Sequence, residues 1–167
     1  MVKFRFFVED EYGDEFFEKL VNRLKEEGLI PRDVVIDVKK LPADCNKKID
    51  RVLNASLKFG NFDRAVLIID GDGNSKKKRE SAKSHIPFDL KDRVDVIVFE
   101  YETEEWICLS LGIKYSNVKP SKALNEWLKI KKGKNYHKRD LPKFVPELNL
   151  KNLSNDENFK LLLTILR

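Results

Sequence analysis

Apolar positions along this chain follow two spacings. Short β-rich runs, "KFRFFVE" (3–9), "DVVIDVKK" (33–40), "RAVLIID" (64–70) and "RVDVIVFE" (93–100), predict strands. Between them the apolar residues recur every three or four positions. In "DEFFEKLVNRLKEEG" (14–28) Phe16, Phe17, Leu20, Val21 and Leu24 form one helical stripe that stops at Gly28. In "DCNKKIDRVLNASLKFGN" (44–61) Ile49, Val52, Leu53 and Leu57 form another. From 103 onward only helical patterns remain: "TEEWICLSLG", "PSKALNEWLKIKKG" and a last "NDENFKLLLTILR", whose Asn155 and Asp156 suit an amino-terminal cap. Strands alternating with helices predict an α/β fold with a four-stranded, mainly parallel sheet flanked by helices and a helical C-terminal extension. Residues 64–70 and 93–100 are apolar on both faces, as central strands covered on each side should be. One domain is expected over 1–167, with the α/β core in 1–112 and the extension in 113–167.

Composition narrows the class. The 167 residues are 41% hydrophobic, which suffices for one real core, and 37% are charged, with a net charge of only +5. Both signs interleave, as on a soluble surface. No apolar run approaches the roughly 20 residues of a membrane span, and "MVKFRFFVEDEYGD" has no secretory pattern, so a cytoplasmic protein without membrane association is expected. Cys45 and Cys108 are too few and too far apart for a metal knuckle or a disulfide framework, and read as small fillers.

The chemistry gathers at strand ends. Right-handed βαβ crossovers place every strand's carboxyl end along one sheet edge, where open parallel sheets bind ligands. Glu9 ends the first strand, Asp70 and Asp72 end the third in "VLIIDGDGN", and the acidic run 100–105 follows the fourth. Like charges so close cannot all stay ionised unaided. Either some are protonated or a cation sits among them, and oxygen donors alone suit Mg²⁺ or Mn²⁺ rather than zinc. Their repulsion further predicts that Asp70→Asn and Glu104→Gln each stabilise the metal-free chain. Gly71 and Gly73 allow a phosphate to approach the backbone, and Lys76, Lys77, Lys78 and Arg79 would face a polyanion. A second basic tract, "KIKKGKNYHKRDLPK" (129–143), sets Tyr136 and His137 among cations that include Lys132, Lys134, Lys138 and Arg139, a mix suited to phosphate contact and base stacking. Taken singly, each feature has a plainer reading: a polar turn for DGDGN, solvated faces for the basic runs. Trp106 and Trp127 sit in helical stripes and read as core. His85 and His137 lack ligand spacing, and Ser75, Ser81 and Ser84 stand in no recognisable serine-hydrolase pattern with a histidine.

These residues resemble a known family. "FFVEDEYGDEFFEKLV" looks like the glutamate motif of Toprim domains, and "VLIIDGDGN" like their Asp-x-Asp motif, each at a strand end in the expected order. "TEEWICLSLG" resembles the Glu-x-Trp helix of the defence-associated Toprim branch, which includes the overcoming-lysogenization-defect nucleases and RloB-like proteins. "NYHKRDLP" and the terminal "FKLLLTIL" are similar to the tail of that branch. The resemblance spans most of the chain. It implies Glu9 as general acid or base or ligand, Asp70 and Asp72 as the metal pair, and Glu104 as the branch's extra glutamate. Two positions depart from the pattern: Asn74 stands where many members carry another acid, and Asp10 where the family usually has glycine. A strand-passage tyrosine on a separate large domain has no room here.

The expected function is therefore a Mg²⁺- or Mn²⁺-dependent nuclease or related phosphotransfer enzyme that cleaves phosphodiester bonds in DNA or RNA. The rivals are a non-catalytic nucleic-acid-binding or regulatory module of the same fold and a hydrolase of small phosphoesters.

Overall fold

The computed structural model describes residues 1–42, 45–116 and 118–167, and for 45–47 the backbone alone. The expected helical start at Asp44 and the filler role of Cys45 lie outside the described residues.

Four strands form one sheet: β1 (Lys3–Val8), β2 (Val35–Lys40), β3 (Arg64–Asp70) and β4 (Val94–Phe99). All pair in parallel in the order β2-β1-β3-β4. The helices are α1 (Gly13–Glu26), α2 (Cys45–Leu57), α3 (Ser75–Ser84), α4 (Glu104–Leu111), α5 (Pro120–Lys132), α6 (Leu150–Leu153) and α7 (Glu157–Leu166), with 3-10 segments at Phe88–Arg93 and Lys138–Glu147. This is a Rossmann-like α/β architecture with a helical C-terminal part.

Side-chain alternation along the strands divides the core into two layers. Phe4, Phe6 and Val8 of β1, Val66 and Ile68 of β3, and Ile97 and Phe99 of β4 pack on one face with α1, α4, α5 and α7. Phe7, Ala65, Leu67, Ile69, Val94, Val96 and Val98 pack on the other with α2 and α3. The first layer continues without a break from Phe6 through Trp106 to Leu124 and Phe159, so the C-terminal helices share the core of the sheet.

The strand 93–100, expected at the centre, is an edge strand; β1 and β3 are central. β4 reads as a central strand because both its faces are packed, Ile97 and Phe99 on one and Val94, Val96 and Val98 on the other, and its edge is covered as well. Arg79 of α3 donates to the Val96 carbonyl at 2.9 Å, and Asn158 of α7 donates to the Val98 carbonyl at 3.0 Å. Two side-chain donors thus fill the outward acceptors that would otherwise invite another strand.

Trp106 fixes α4 against the rest. Fully buried, it meets Phe17, Phe99 and Phe159 edge-on with ring centroids 5.9, 4.9 and 5.5 Å away. Its indole nitrogen donates to Asp156 at 3.0 Å, and the same carboxylate caps α7 by accepting from the Phe159 amide. Core placement of Trp106 and capping by Asp156 follow the sequence expectation, and Trp127 packs partly buried on the same layer. Cys108 is a buried filler, its thiol pushed up to about 12 by burial and then by Glu104. Among the described residues, no helix is long and apolar enough to cross a membrane.

Candidate functional site

The strand order reverses between β1 and β3: the chain leaves β1 for one side of the sheet and later extends from β3 to the other. The crevice beyond the carboxyl ends of these two strands is the topological switch point. Glu9 directly follows β1 and Asp70 is the last residue of β3.

The turn after β3 is held tightly. Asp72 adopts a left-handed backbone with φ 50°, and the amides of Asp72 and Gly73 donate to the carbonyls of Tyr101 and Glu100 at 3.3 and 2.8 Å. Gly71 is required by the close approach of β4: a Cβ there would lie 2.1 Å from the Phe99 carbonyl oxygen and 2.7 Å from that of Glu100. The glycine therefore serves the approach of protein backbone at this point, rather than of a phosphate.

Two charge groups flank the crevice, one on each side of the sheet edge. On the α3 side, Glu9 lines a cleft of about 300 Å³ with Asn74, Lys77 and Lys78, and Lys78 lies 4.0 Å from Asp72. Burial raises the Glu9 carboxyl above its ordinary range, while Lys78 and the backbone amide of Asp70 pull the other way. On the α4 side, the Lys138 ammonium sits among three carboxylates: Glu104 at 2.8 Å, Asp10 at 3.1 Å and Glu102 at 3.8 Å. Burial opposes charge on this lysine, but Glu104 and Asp10 outweigh it and hold the ammonium above its usual range. The Tyr136 hydroxyl donates to Glu104 Oε1 at 2.9 Å, the same oxygen that faces Lys138. Glu104 is wholly buried, and its Oε2 is without a hydrogen-bond partner among the described residues.

Asp70 stands between the groups. Its carboxyl is raised to about 8, first by burial, then by Glu9 and Asp10, with Lys138 opposing and Glu104 adding. Asp70 is thus protonated at neutral pH unless a cation or substrate supplies positive charge.

The remaining acids of the run 100–105 differ in use. Glu105 Oε2 accepts the backbone amides of Tyr101 and Glu102 and braces its own loop. Burial, partly offset by those bonds, lifts its carboxyl to about 7. Glu102 Oε1 accepts from the Ser121 amide at 2.9 Å, which ties the loop to α5.

The predicted cations are divided as well. Lys76, Lys77 and Lys78 are exposed on the first turn of α3, a helix where a loop reading was open, and Lys77 and Lys78 face the Glu9 cleft. Arg79 is half-buried and occupied by the β4 edge. Lys132 and Lys134 line a separate cleft of about 220 Å³ that also holds Asp140 and Glu147, and Arg139 is exposed. Lys138, read in the sequence as one of the cations suited to phosphate contact, is ion-paired with Asp10, Glu102 and Glu104. His137 donates its backbone amide to Asp140 at the start of the 3-10 segment. The sequence reading noted Asp10 only as a departure and left Glu102 within a run. An ammonium donor 128 residues from Asp10 gives no local pattern to find.

Among the described residues, no group of three or more His, Cys, Asp or Glu side chains is arranged to hold a metal ion. The donor set still fits Mg²⁺ or Mn²⁺ in kind. All the groups are carboxylates, Asp70 lacks a nearby cation of its own strong enough to keep it ionised, and Glu104 Oε2 is a buried oxygen without a partner. Mg²⁺ commonly takes one or two protein carboxylates and completes its shell with water and substrate phosphate oxygens. No family model, curated protein or solved structure matches this chain.

Proposed function

We propose that this chain is a Toprim-like, Mg²⁺- or Mn²⁺-dependent nuclease that cleaves phosphodiester bonds in DNA or RNA. The observation that carries this reading is Asp70, raised to about 8 by burial and by Glu9 at the switch point, beside a cleft lined by Lys77 and Lys78. A structural carboxylate in that setting would have a cation or several amide donors. A divalent ion held by Asp70 and one further carboxylate among Asp72, Glu9 and Glu104, with water and substrate oxygens completing its shell, would neutralise a phosphate and make its attacking water more acidic.

The chain's own groups then have distinct tasks. Lys77 and Lys78 draw the phosphate into the cleft and hold it against the end of β3. Glu9, half-buried and titrating above the ordinary carboxylate range, is suited to accept a proton and return it to the leaving oxygen. Lys138 holds Asp10, Glu102 and Glu104 in place without a metal ion. That last feature also supports a second reading, a non-catalytic nucleic-acid-binding module, because the lysine already neutralises part of the acidic cluster.

A labelled panel of single- and double-stranded DNA and RNA, incubated with Mg²⁺, Mn²⁺ or EDTA, separates the two. The nuclease reading expects cleavage only with metal, lost by at least 100-fold in Asp70→Asn and Asp72→Asn variants that melt cooperatively. Binding without cleavage under every metal condition would support the second reading, and equal cleavage by either variant would remove these aspartates from the mechanism.

A further inference from the structure

A cleft larger than the one that Glu9 lines lies beside α5. It measures about 780 Å³ and is bounded by Lys114, Val118, α5 and the stretch from Tyr136 to Lys138. Its wall is shared with the acidic cluster, since Tyr136 and Lys138 both contact Glu104 Oε1. We infer that this cleft binds one unpaired nucleotide of the nucleic-acid strand, beside the phosphate presented to Asp70. This deepens the nuclease reading and rests on it, and it makes single-stranded or locally unpaired nucleic acid the substrate class.

Three observations carry the inference. The size lies within the roughly 300–1,000 Å³ typical of small-ligand sites, enough for a base and its sugar. The surfaces are of two kinds: Val118, 48% exposed, Ala123 and the Tyr136 ring give apolar area, while Lys114 and Lys122 bring ammonium groups to it. Among the described residues Lys114 and Lys122 have no ion-pair partner, and the cleft's one acid, Glu126, is paired with Lys129 at 3.7 Å. An apolar surface edged by free cations matches a nucleotide, whose base has an apolar face and whose phosphate is an anion. The Tyr136 ring is fixed by its hydroxyl and by Phe144, 6.2 Å away between centroids, so it offers a preset surface. A base paired within a duplex cannot turn that face to the protein, which is the physical origin of the expected preference.

Fluorescence anisotropy tests it, with 5′-fluorescein 12-nucleotide dT and U probes and a 12-base-pair DNA duplex, and with Ca²⁺ replacing Mg²⁺. Wild type should bind a single-stranded probe at least 10-fold more tightly than the duplex. Lys114→Glu with Lys122→Glu should weaken single-strand binding at least 10-fold. Ser121→Trp, which fills the cleft without changing charge, should lower it to the level of the duplex. Lys25→Glu with Lys91→Glu, a charge-matched control beyond the opposite sheet edge, should change it less than twofold. Melting curves check each fold, and the exposed Lys114 and Lys122 keep the test open if Ser121→Trp is unstable. Duplex binding as tight as single-strand binding would overturn the inference. So would cleft variants that behave like the control while Lys77→Glu with Lys78→Glu loses binding, a result that leaves the nuclease reading standing. Absence of binding to every probe would overturn both.

Discussion

At the scale of single residues, the site separates two carboxylates that a sequence treats alike. Asp70 titrates near 3.8 in an unfolded chain and at about 8 in the fold. The native state therefore holds an extra proton between those values, and stability present below the lower one is lost as pH rises towards the higher. Asp70→Asn removes that loss. In EDTA, its gain in melting temperature over wild type should be smallest at pH 5 and largest at pH 8, and a gain independent of pH would refute the coupling. Mg²⁺ should stabilise wild type by preferential binding to the native state and the variant far less. Glu104 is also raised above its ordinary range, by burial against the opposing pull of Lys138. Yet Glu104→Gln should lower the melting temperature, against the expectation drawn from repulsion alone. Its Oε1 neutralises Lys138 and receives the Tyr136 hydroxyl. Breaking a fully buried pair costs about 3–5 kcal/mol; with Lys138 44% exposed, about 1–3 kcal/mol is expected. Chemical denaturation of the variant measures it, and a rise in stability would show that repulsion dominates the cluster.

At the scale of elements, the turn from β3 into α3 is the part that most constrains the site. Its amides are bonded to the β4–α4 loop, so the positions of Asp70 and Asp72 depend on how closely β3 and β4 approach at their ends. Gly71→Ala would place a methyl group against two backbone oxygens that cannot swing aside. The ends of the strands must part, at a cost of about 3 kcal/mol or more. Urea unfolding should show that loss together with reduced metal-dependent stabilisation, whereas a loss below about 0.5 kcal/mol, the range of ordinary surface changes, would mean the turn yields without strain.

At the scale of the whole molecule, positive charge is distributed over separate surfaces rather than one stripe. Lys77 and Lys78 line the Glu9 cleft, while Lys132 and Lys134 line another with Asp140 and Glu147. Counterion release makes the salt dependence of binding count the phosphates each surface contacts. Replacing Lys77 and Lys78 by glutamine should flatten the plot of log affinity against log salt by about 1.4 for a single strand, since each contact contributes about 0.7. The same exchange at Lys132 and Lys134 decides whether the second tract is a phosphate track or a solvated face. Lys138 leaves that set because its charge is already matched by Glu104 and Asp10.

The succession of strands and helices apart from α3, which buries only Ala82 and so shows no apolar stripe, the two-layer core and the burial of Trp106 were determined by the sequence itself, because periodicity and apolar content act locally and survive without knowledge of the partner. The convergence of Glu9 and Asp70 also followed, since right-handed crossovers leave few ways to arrange parallel strands. What only the tertiary structure decided involves partners far apart in the chain. Lys138 reaches Asp10 across 128 positions, Arg79 and Asn158 turn β4 from an apparent central strand into a covered edge, and the acidic run divides between bracing Glu105 and paired Glu104. An ionic or hydrogen-bonding group reads the same in a sequence whether solvent or a buried partner satisfies it. Its role is set by the field and burial around it, and those exist only once the chain has folded.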